Sequence, residues 1–227
     1  DRARADRQAT HAIDMLRQFA GRSGAGEARL GAEALDRGLE FFWESFEEQW
    51  GGFGDAPKFP RPAVLQFLNR VQAAARDQNN PEIADAARKL VDTTLRKMIA
   101  GGMHDHLGGG FHRYSVDAHW HVPHFEKMLY DQAQLVAALL EHHQLTREPL
   151  FADVVRSTLE YVRRDLTAPE GGFYSAEDAD SLKRHGSDEH AEGAFYVWSA
   201  AEIRELLGPD RARVFNAHYG VEENGNA

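Results

Sequence analysis

Reactive side chains are concentrated between Gly101 and Asp131, a segment that holds six of the twelve histidines of the chain. Imidazole, carboxylate and ammonium groups in one loop are the usual means of general acid–base chemistry. Glycines recur through the segment and allow close approach of the backbone to a ligand. The segment therefore predicts a binding or catalytic loop between two helices. The alternative is that these groups pair only with one another and with the loop backbone.

Two kinds of acid–base chemistry fit these residue types. A pair of histidines could remove and return a proton beside a carbonyl group, whereas a pair of carboxyl groups could act as general acid and base. The candidate catalytic groups are His124, Glu126, His106 and Asp105. The groups expected to bind substrate through charge or aromatic faces are Lys58, Phe53, Arg113, Trp120, Lys127, Glu177, Asp178, Asp180 and Trp198. His124 and Glu126 are the preferred pair, because we expect them at the rigid start of an enclosed helix.

Most of these candidates also have a purely structural explanation. Lys127 and Asp131 are four residues apart and would form an intrahelical pair. Glu126 would interact favourably with the helix dipole, because it lies near a predicted helix N-terminus. Asp178 and Asp180 are typical of aspartates that cap loop backbone.

A metal site is a rival explanation for the density of histidines. Either of the pairs His104/His106 and His119/His121, each separated by one residue, could bind a metal ion together with a carboxylate. No HExxH motif occurs. The chain has no cysteine, which excludes disulfides, thiolate ligands and cysteine nucleophiles. We predict neither a metal site nor a cofactor.

Composition limits the remaining functional classes. The net charge of −10 disfavours a nucleic-acid surface. No apolar run approaches the roughly 20 residues of a membrane span, and the charged N-terminal residues do not resemble a signal peptide. We therefore expect a cytoplasmic protein that binds neither nucleic acid nor membrane, and a small neutral or polar ligand remains open.

Apolar residues at helical spacing predict most of the secondary structure. A lead-in helix and a glycine-rich linker are expected at 1–26, followed by one helical domain at 27–227. Pro62, Pro81 and Pro149 mark three helix starts. The predicted helices of the domain cover 28–49, 62–76, 81–99, a segment from 125, 149–166 and 200–207.

Two local signals precede the last of these helices. Ser199 and Glu202 have the spacing of a capping box, which predicts a helix start at residue 200. Residues 173–175 and 195–198 have strand-like composition and are predicted to pair as a hairpin with a charged, mobile tip.

The motif Gly-Gly-Phe occurs three times, at residues 51–53, 109–111 and 171–173, with a predicted helix pair between successive occurrences. A period of about 60 residues predicts helical hairpins stacked side by side. Loops that occur once per repeat gather at one end, so we expect a single pocket where their polar groups converge.

Four motifs together resemble those of the thioredoxin-domain-containing, spermatogenesis-associated protein family. They are GDAPKFP from Gly54, DHLGGGFHRYSVD from Asp105, VPHFEKMLYDQA from Val122 and AEDADS from Ala176. The resemblance covers nearly the whole chain and corresponds to the middle of such proteins. A thioredoxin-like domain, an expected partner, would then precede Asp1, and further helical hairpins would follow Ala227.

The helical region of that family is similar to the α/α toroids of N-acylglucosamine 2-epimerases and six-hairpin glycosidases, which bind sugars at the mouth of a ring. The resemblance implies an all-α fold of this toroid type, present as an incomplete arc with long glycine-rich loops and a small β-hairpin. It implies a carbohydrate-binding or carbohydrate-modifying domain that is epimerase-like or glycosidase-like. The alternative is a non-enzymatic scaffold for the thioredoxin-like domain. An open arc also predicts self-association, because apolar helix faces are left uncovered.

Overall fold

The computed structural model describes residues 2–21, 31–183, 186 and 188–226. Its helices are α1 (Arg2–Gly21), α2 (Ala32–Glu44), α3 (Pro62–Asp77), α4 (Pro81–Ala100), α5 (Leu129–Thr146), α6 (Pro149–Asp165), α7 (Ala200–Leu207) and α8 (Pro209–Tyr219). Its short strands are β1 (Tyr114–Ser115), β2 (Pro123–His124), β3 (Lys127–Met128), β4 (Ala176–Glu177), β5 (Asp180–Leu182) and β6 (His190–Glu192). None of the helices in these ranges has the length and apolar character needed to cross a bilayer.

The chain divides into two compact units, Asp1–Arg37 and Gly38–Ala227. In the first unit, helix α1 lies within the span of the predicted lead-in segment. Residues 22–26 of the predicted linker lie outside the described residues. All of the candidate site residues lie in the second unit.

Local sequence signals set several helix starts as predicted. Helices α3, α4 and α6 begin at Pro62, Pro81 and Pro149, where the missing N–H has no intrahelical partner to lose. The predicted capping box is also confirmed. Ser199 Oγ accepts from the Glu202 amide at 3.2 Å, and the Glu202 carboxylate accepts from the Ser199 amide at 2.8 Å. Helix α8, which begins after Gly208, was not among the predicted helices.

Two predicted helices differ from the observed ones. Helix α2 is shorter than the predicted span of 28–49. The predicted helix from residue 125 is wrong over its first turn, because α5 begins only at Leu129. Strand β3 occupies the preceding residues and pairs antiparallel with β4, so that Lys127 lies opposite Glu177. This partner is distant in sequence, and helical periodicity cannot reveal it.

The predicted hairpin of 173–175 with 195–198 is also wrong. The observed hairpin joins β5 to β6 inside that span, with Asp180 opposite Glu192. Tyr196 lies in a turn after β6, where its ring stacks on that of Phe125 with centroids 5.5 Å apart. Tyr196 thus contributes a packed ring, and no strand forms at 195–198. Residues 184, 185 and 187 of the predicted tip lie outside the described part of the chain.

One apolar core fills the second unit. Helix α3 packs against α4 and α5, and α5 packs against α6. Each buried Leu, Val or Phe side chain contributes about 1.5–3 kcal/mol through removal from water. The buried core residues on these helices include Leu65, Leu68, Leu90, Val91, Leu95, Met98, Leu135, Leu139, Phe151 and Val154. The loop residues Phe53, Phe111 and Trp120 belong to the same core, so it also anchors the loops.

The three Gly-Gly-Phe motifs share one backbone conformation. In each motif both glycines have positive φ, between 70° and 88°. The carbonyl of the second glycine accepts a hydrogen bond from a residue upstream, at 3.1 Å for Glu47, 3.0 Å for Asp105 and 3.1 Å for Ala168. Each phenylalanine then forms an isolated β-bridge with a residue further upstream. The repeat predicted from the sequence is therefore a repeat of loop structure.

A buried lysine supports each of the first two motifs. Lys58 Nζ donates to the Gly51 carbonyl at 2.7 Å and lies 3.7 Å from Glu47. Lys127 Nζ donates to the Gly109 carbonyl at 3.0 Å and to Asp105 at 2.8 Å. The third motif has Ala168 where the first two have an acid, and its phenylalanine is exposed.

Short antiparallel pairs make the three loops neighbours, as the repeat predicts. Lys58 pairs with Ser115, which joins the first loop to the second. Lys127 pairs with Glu177, which joins the second loop to the third. The candidate site residues are carried by this joined loop region.

Candidate functional site

The extended segment 123–128 separates the predicted site residues into two groups. Neighbouring side chains of an extended segment point to opposite faces. Glu126 reaches Arg113 and lies close to His124, whereas Lys127 reaches Asp105. The single pocket expected from the sequence is therefore replaced by two sites.

The first site, the His124 cluster, consists of Arg113, His124, Glu126, Asp131 and Glu192. His124 Nδ1 donates to Glu192 at 2.6 Å. Its Nε2 therefore carries the lone pair in neutral histidine, and lies 3.7 Å from Glu126 Oε2. Arg113 holds Glu126 through a 2.8 Å bond. About a quarter of the His124 and Glu126 side chains is exposed, so both can reach a ligand.

Asp131, at the start of α5, is the buried carboxyl group of this cluster. Its Oδ2 atom is buried without a hydrogen-bond partner among the described residues. Burial raises the pKa of its carboxyl to about 6, and the nearby Glu126 carboxylate adds to the rise while Arg113 opposes it. The cluster thus contains a carboxyl that keeps its proton into the weakly acidic range beside groups of similar chemistry.

Aromatic rings flank the imidazole of the cluster. The Tyr114 ring stacks on His124 with centroids 4.9 Å apart, and Phe59 lies 4.8 Å beyond Tyr114. Phe59 is nearly half exposed. Exposed ring faces beside acid–base groups are suited to the apolar face of a sugar.

The second site, the Lys127 cavity, has a volume of about 540 Å³. A cavity of this size accommodates a small organic ligand. It lies between the second and third loops, α6 and the turn after β6. Its lining residues are Asp105, Gly108, Lys127, Tyr161, Arg164, Asp165, Leu166, Tyr174, Ala176, Glu177, Phe195 and Tyr196.

Glu177 organises the wall of this cavity. Tyr161 donates to one carboxylate oxygen at 2.7 Å, and Tyr196 donates to the other at 2.8 Å. Burial and these bonds raise the pKa of both phenols, so both remain neutral. Lys127 Nζ lies over the same two rings, 4.3 Å from the centroid of Tyr161 and 5.0 Å from that of Tyr196.

Asp105 is a structural carboxylate in this arrangement. Burial alone would raise its pKa, but the Lys127 ammonium and the amides of Gly108 and Leu107 lower it. A carboxylate held ionised in this way is poorly suited to donate a proton. The pairing with Lys127 also replaces the intrahelical contact between Lys127 and Asp131 that the sequence allowed.

The remaining predicted residues lie outside both sites. Phe53 and Trp120, predicted as sugar platforms, are buried in the core, and Lys58 is buried in the first loop. His106 Nε2 donates to the Gly101 carbonyl at 3.0 Å. The rest have no role in either site: Asp178 caps the Asp180 amide at 3.0 Å, Asp180 is exposed in β5, and Trp198 is half exposed beyond the cavity lining.

The residues that the structure adds to the two sites include Asp131, Tyr161, Glu192 and Tyr196, which the sequence interpretation missed. Tyr161 had a usable signal, because it continues the helical stripe of Phe151 and Val154 at a spacing of seven residues. Asp131, Glu192 and Tyr196 had none, since they reach their sites through contacts distant in sequence. Among the described residues, no group of three or more potential ligands is arranged to hold a metal ion.

Known relatives are similar in sequence over most of this chain. It is 44% identical to human spermatogenesis-associated protein 20 over 192 residues, which cover 81% of the chain and 24% of the human protein. The resemblance predicted from the motifs is confirmed. The mouse protein of the same name is 43% identical over an equal span. The chain spans about a quarter of the length of these relatives. No family model matches the chain.

Solved structures establish the fold class. The chain superimposes on cellobiose 2-epimerase from Spirochaeta thermophila with a TM-score of 0.53 and 18% identity, covering 82% of this chain and 51% of that one. The enzyme of the same name from Bacillus thermoamylovorans gives a TM-score of 0.52 and 15% identity, covering 82% and 53%. The predicted all-α fold of the α/α toroid type is therefore confirmed.

Proposed function

We propose that this toroid domain binds and modifies a carbohydrate, with the His124 cluster as its acid–base centre. The observation that carries the proposal is the position of His124 between two carboxylates. Glu192 fixes the ring and leaves the lone pair on Nε2. Glu126 is held next to that atom by Arg113.

An epimerase-like reaction suits this arrangement. Nε2 of His124 takes the proton from the carbon next to the carbonyl of an open-chain sugar, and the C–H electron pair moves to form an enolate. A proton from solvent water adds to the opposite face of the enolate carbon to give the epimer, and the imidazolium of His124 returns its proton to solvent. The cellobiose 2-epimerases of the same fold support a reaction of this class.

Glycoside hydrolysis is the second form of the proposal. It rests on Glu126 and Glu192, two partly exposed carboxyl groups on either side of His124. Two carboxyl groups that flank the scissile bond are the arrangement that glycosidases use.

A non-enzymatic role is the other candidate function, as a scaffold for a thioredoxin-like domain of the full-length protein. It is favoured by the predicted site residues that serve the loops themselves. Lys58 and Lys127 are buried against loop carbonyls, and Asp105 accepts loop amides. In this view the His124 cluster only tethers the β6 segment.

Turnover by the full-length protein tests these alternatives. Incubation of reducing sugars in heavy water, followed by proton NMR, detects exchange at the carbon beside the carbonyl, and release of reducing ends from disaccharides detects hydrolysis. We expect His124→Ala to abolish exchange and Glu126→Gln to reduce it by at least tenfold. His218→Ala is the matched control, because this histidine is exposed on α8. Unchanged turnover in both cluster variants would leave only the tethering role.

A further inference from the structure

Among the charged residues that line the Lys127 cavity, one carboxylate forms no ion pair with a described residue. Of the five charged lining residues, Lys127 pairs with Asp105, and Arg164 pairs with Asp165. The fifth is Glu177, which forms no ion pair among the described residues and is bonded to two neutral phenols. A partly enclosed carboxylate that lacks an ion pair attracts a cation more strongly than it would in open water.

Aromatic rings surround this carboxylate. Tyr174, Phe195 and Tyr196 line the cavity, and the first two are more than half exposed. An ammonium group already lies against aromatic rings in this cavity, because Lys127 Nζ lies over the rings of Tyr161 and Tyr196. Rings and a carboxylate together are the usual means of binding an organic cation, and the same rings suit the apolar face of a sugar.

We propose that the Lys127 cavity selects sugars that carry a positively charged amino group, accepts neutral sugars less well and rejects acidic ones. The inference rests on the proposed carbohydrate function and adds the charge class of the ligand. Glu177 is the residue that sets the preference, and Tyr174 and Phe195 contact the ring of the sugar. The position of the cavity, across the 123–128 segment from His124, makes it a binding site separate from the acid–base centre.

Calorimetric titration of the full-length protein with glucosamine, glucose and glucuronic acid tests the charge preference. At about pH 6 the amine is charged. We expect glucosamine to bind at least tenfold more tightly than glucose, and glucuronic acid to bind more weakly than either. Equal affinities for glucosamine and glucose, or preferential binding of glucuronic acid, would overturn the inference but leave the carbohydrate function standing. Absence of binding by all three sugars would overturn both.

Two variants test whether Glu177 sets the preference for glucosamine over glucose. Glu177→Gln keeps an acceptor for a phenol and removes the charge, so the tenfold preference should disappear while glucose affinity stays within a factor of three. Glu170→Gln is the matched control, since it removes an equal charge from an exposed turn outside the cavity lining. Retention of the preference in Glu177→Gln contradicts the assignment.

Two further measurements keep the test decisive if Glu177→Gln fails to fold. Tyr196→Phe keeps the ring and the Glu177 charge, and should keep the preference. In the unaltered protein, a rise in salt from 0.05 to 0.5 M should weaken glucosamine binding more than glucose binding, because salt screens the charge pair. Loss of the preference in Tyr196→Phe, or equal salt effects on both sugars, would overturn the inference.

Discussion

At the level of single residues, burial decides which titratable groups in the loop region keep a charge. His112 is buried, and burial lowers the pKa of its imidazole to about 4 even though its Nδ1 donates to the Phe125 carbonyl. Asp131 shows the opposite shift, with its pKa raised to about 6. Burial therefore favours the neutral form of both side chains. Their effects on stability have opposite signs with pH, which makes them separable by experiment.

Asp131 gives the first stability prediction. Between about pH 4 and 6 the folded state holds a proton on this carboxyl that the unfolded state has released, so stability falls as pH rises through this window. Asp131→Asn removes the titrating carboxyl group and with it this pH-dependent loss of stability. We expect the variant to be more stable at pH 7, by up to about 3 kcal/mol for a shift of about two pH units, and equal to the parent near pH 4. Thermal unfolding at both pH values measures this, with exposed Asp188→Asn as control.

His104 gives a prediction of the opposite sign. Burial lowers the pKa of its imidazole to about 4, with the nearby His106 adding to the effect. Because the unfolded state binds the proton more tightly, stability is lost as pH falls from about 6.5 to 4. Both ring nitrogens are buried without a partner in the described part of the chain, beside Phe111.

His104→Phe should therefore raise stability at pH 7 by about 1 kcal/mol, because it removes unsatisfied polar atoms. It should also make the fall in melting temperature between pH 7 and 5 shallower, with the remaining fall due in part to His112. Parallel melting curves of parent and variant as a function of pH would contradict the assignment.

At the level of elements, the repeated loops offer a matched pair of glycines. Gly110 and Gly172 have φ of 80° and 88° at the same position of their motifs. A Cβ on Gly110 would lie 2.5 Å from the Tyr161 ring, whereas a Cβ on Gly172 would meet nothing within 4 Å. The two positions therefore share backbone strain and differ in packing.

Alanine at these positions separates the two contributions. Gly172→Ala should cost about 1–2 kcal/mol of unfolding free energy through left-handed backbone strain alone. Gly110→Ala should cost a further 1–3 kcal/mol, because the tyrosine ring has to move in a packed region. Chemical denaturation measures both. Equal losses would mean that the loop–helix contact in the second repeat is not tightly packed.

The sequence predicted those elements whose signals are local. The helix starts at proline, the capping box at Ser199 and the three Gly-Gly-Phe motifs were predictable, because each depends on residues a few positions apart. The start of α5 was not predictable, since residues 127–128 pair with β4 instead of joining the helix. In the same way, the partnership of His124 and Glu126 was predictable from proximity, whereas Glu192 reaches His124 only through the β5–β6 hairpin.

At the level of the whole molecule, the three repeats differ in how well their loops are covered. Phe53 and Phe111 of the first two motifs are buried, whereas Phe173 of the third is 62% exposed. Val197 and Trp198, which follow the turn after β6, are also largely exposed. Exposed apolar side chains such as these favour contact with another protein or with a second copy of the chain, because association removes them from water.

The 227-residue chain should therefore self-associate when it is studied in isolation. We expect its apparent mass in light scattering to rise with concentration, and Phe173→Ser combined with Trp198→Ser to reduce this rise, because the change removes apolar area that association would bury. Leu107→Ser is the matched control, since Leu107 is 72% exposed but lies in the second loop. A strictly monomeric parent chain, or an equal effect of the control, would show that these third-loop residues do not drive association.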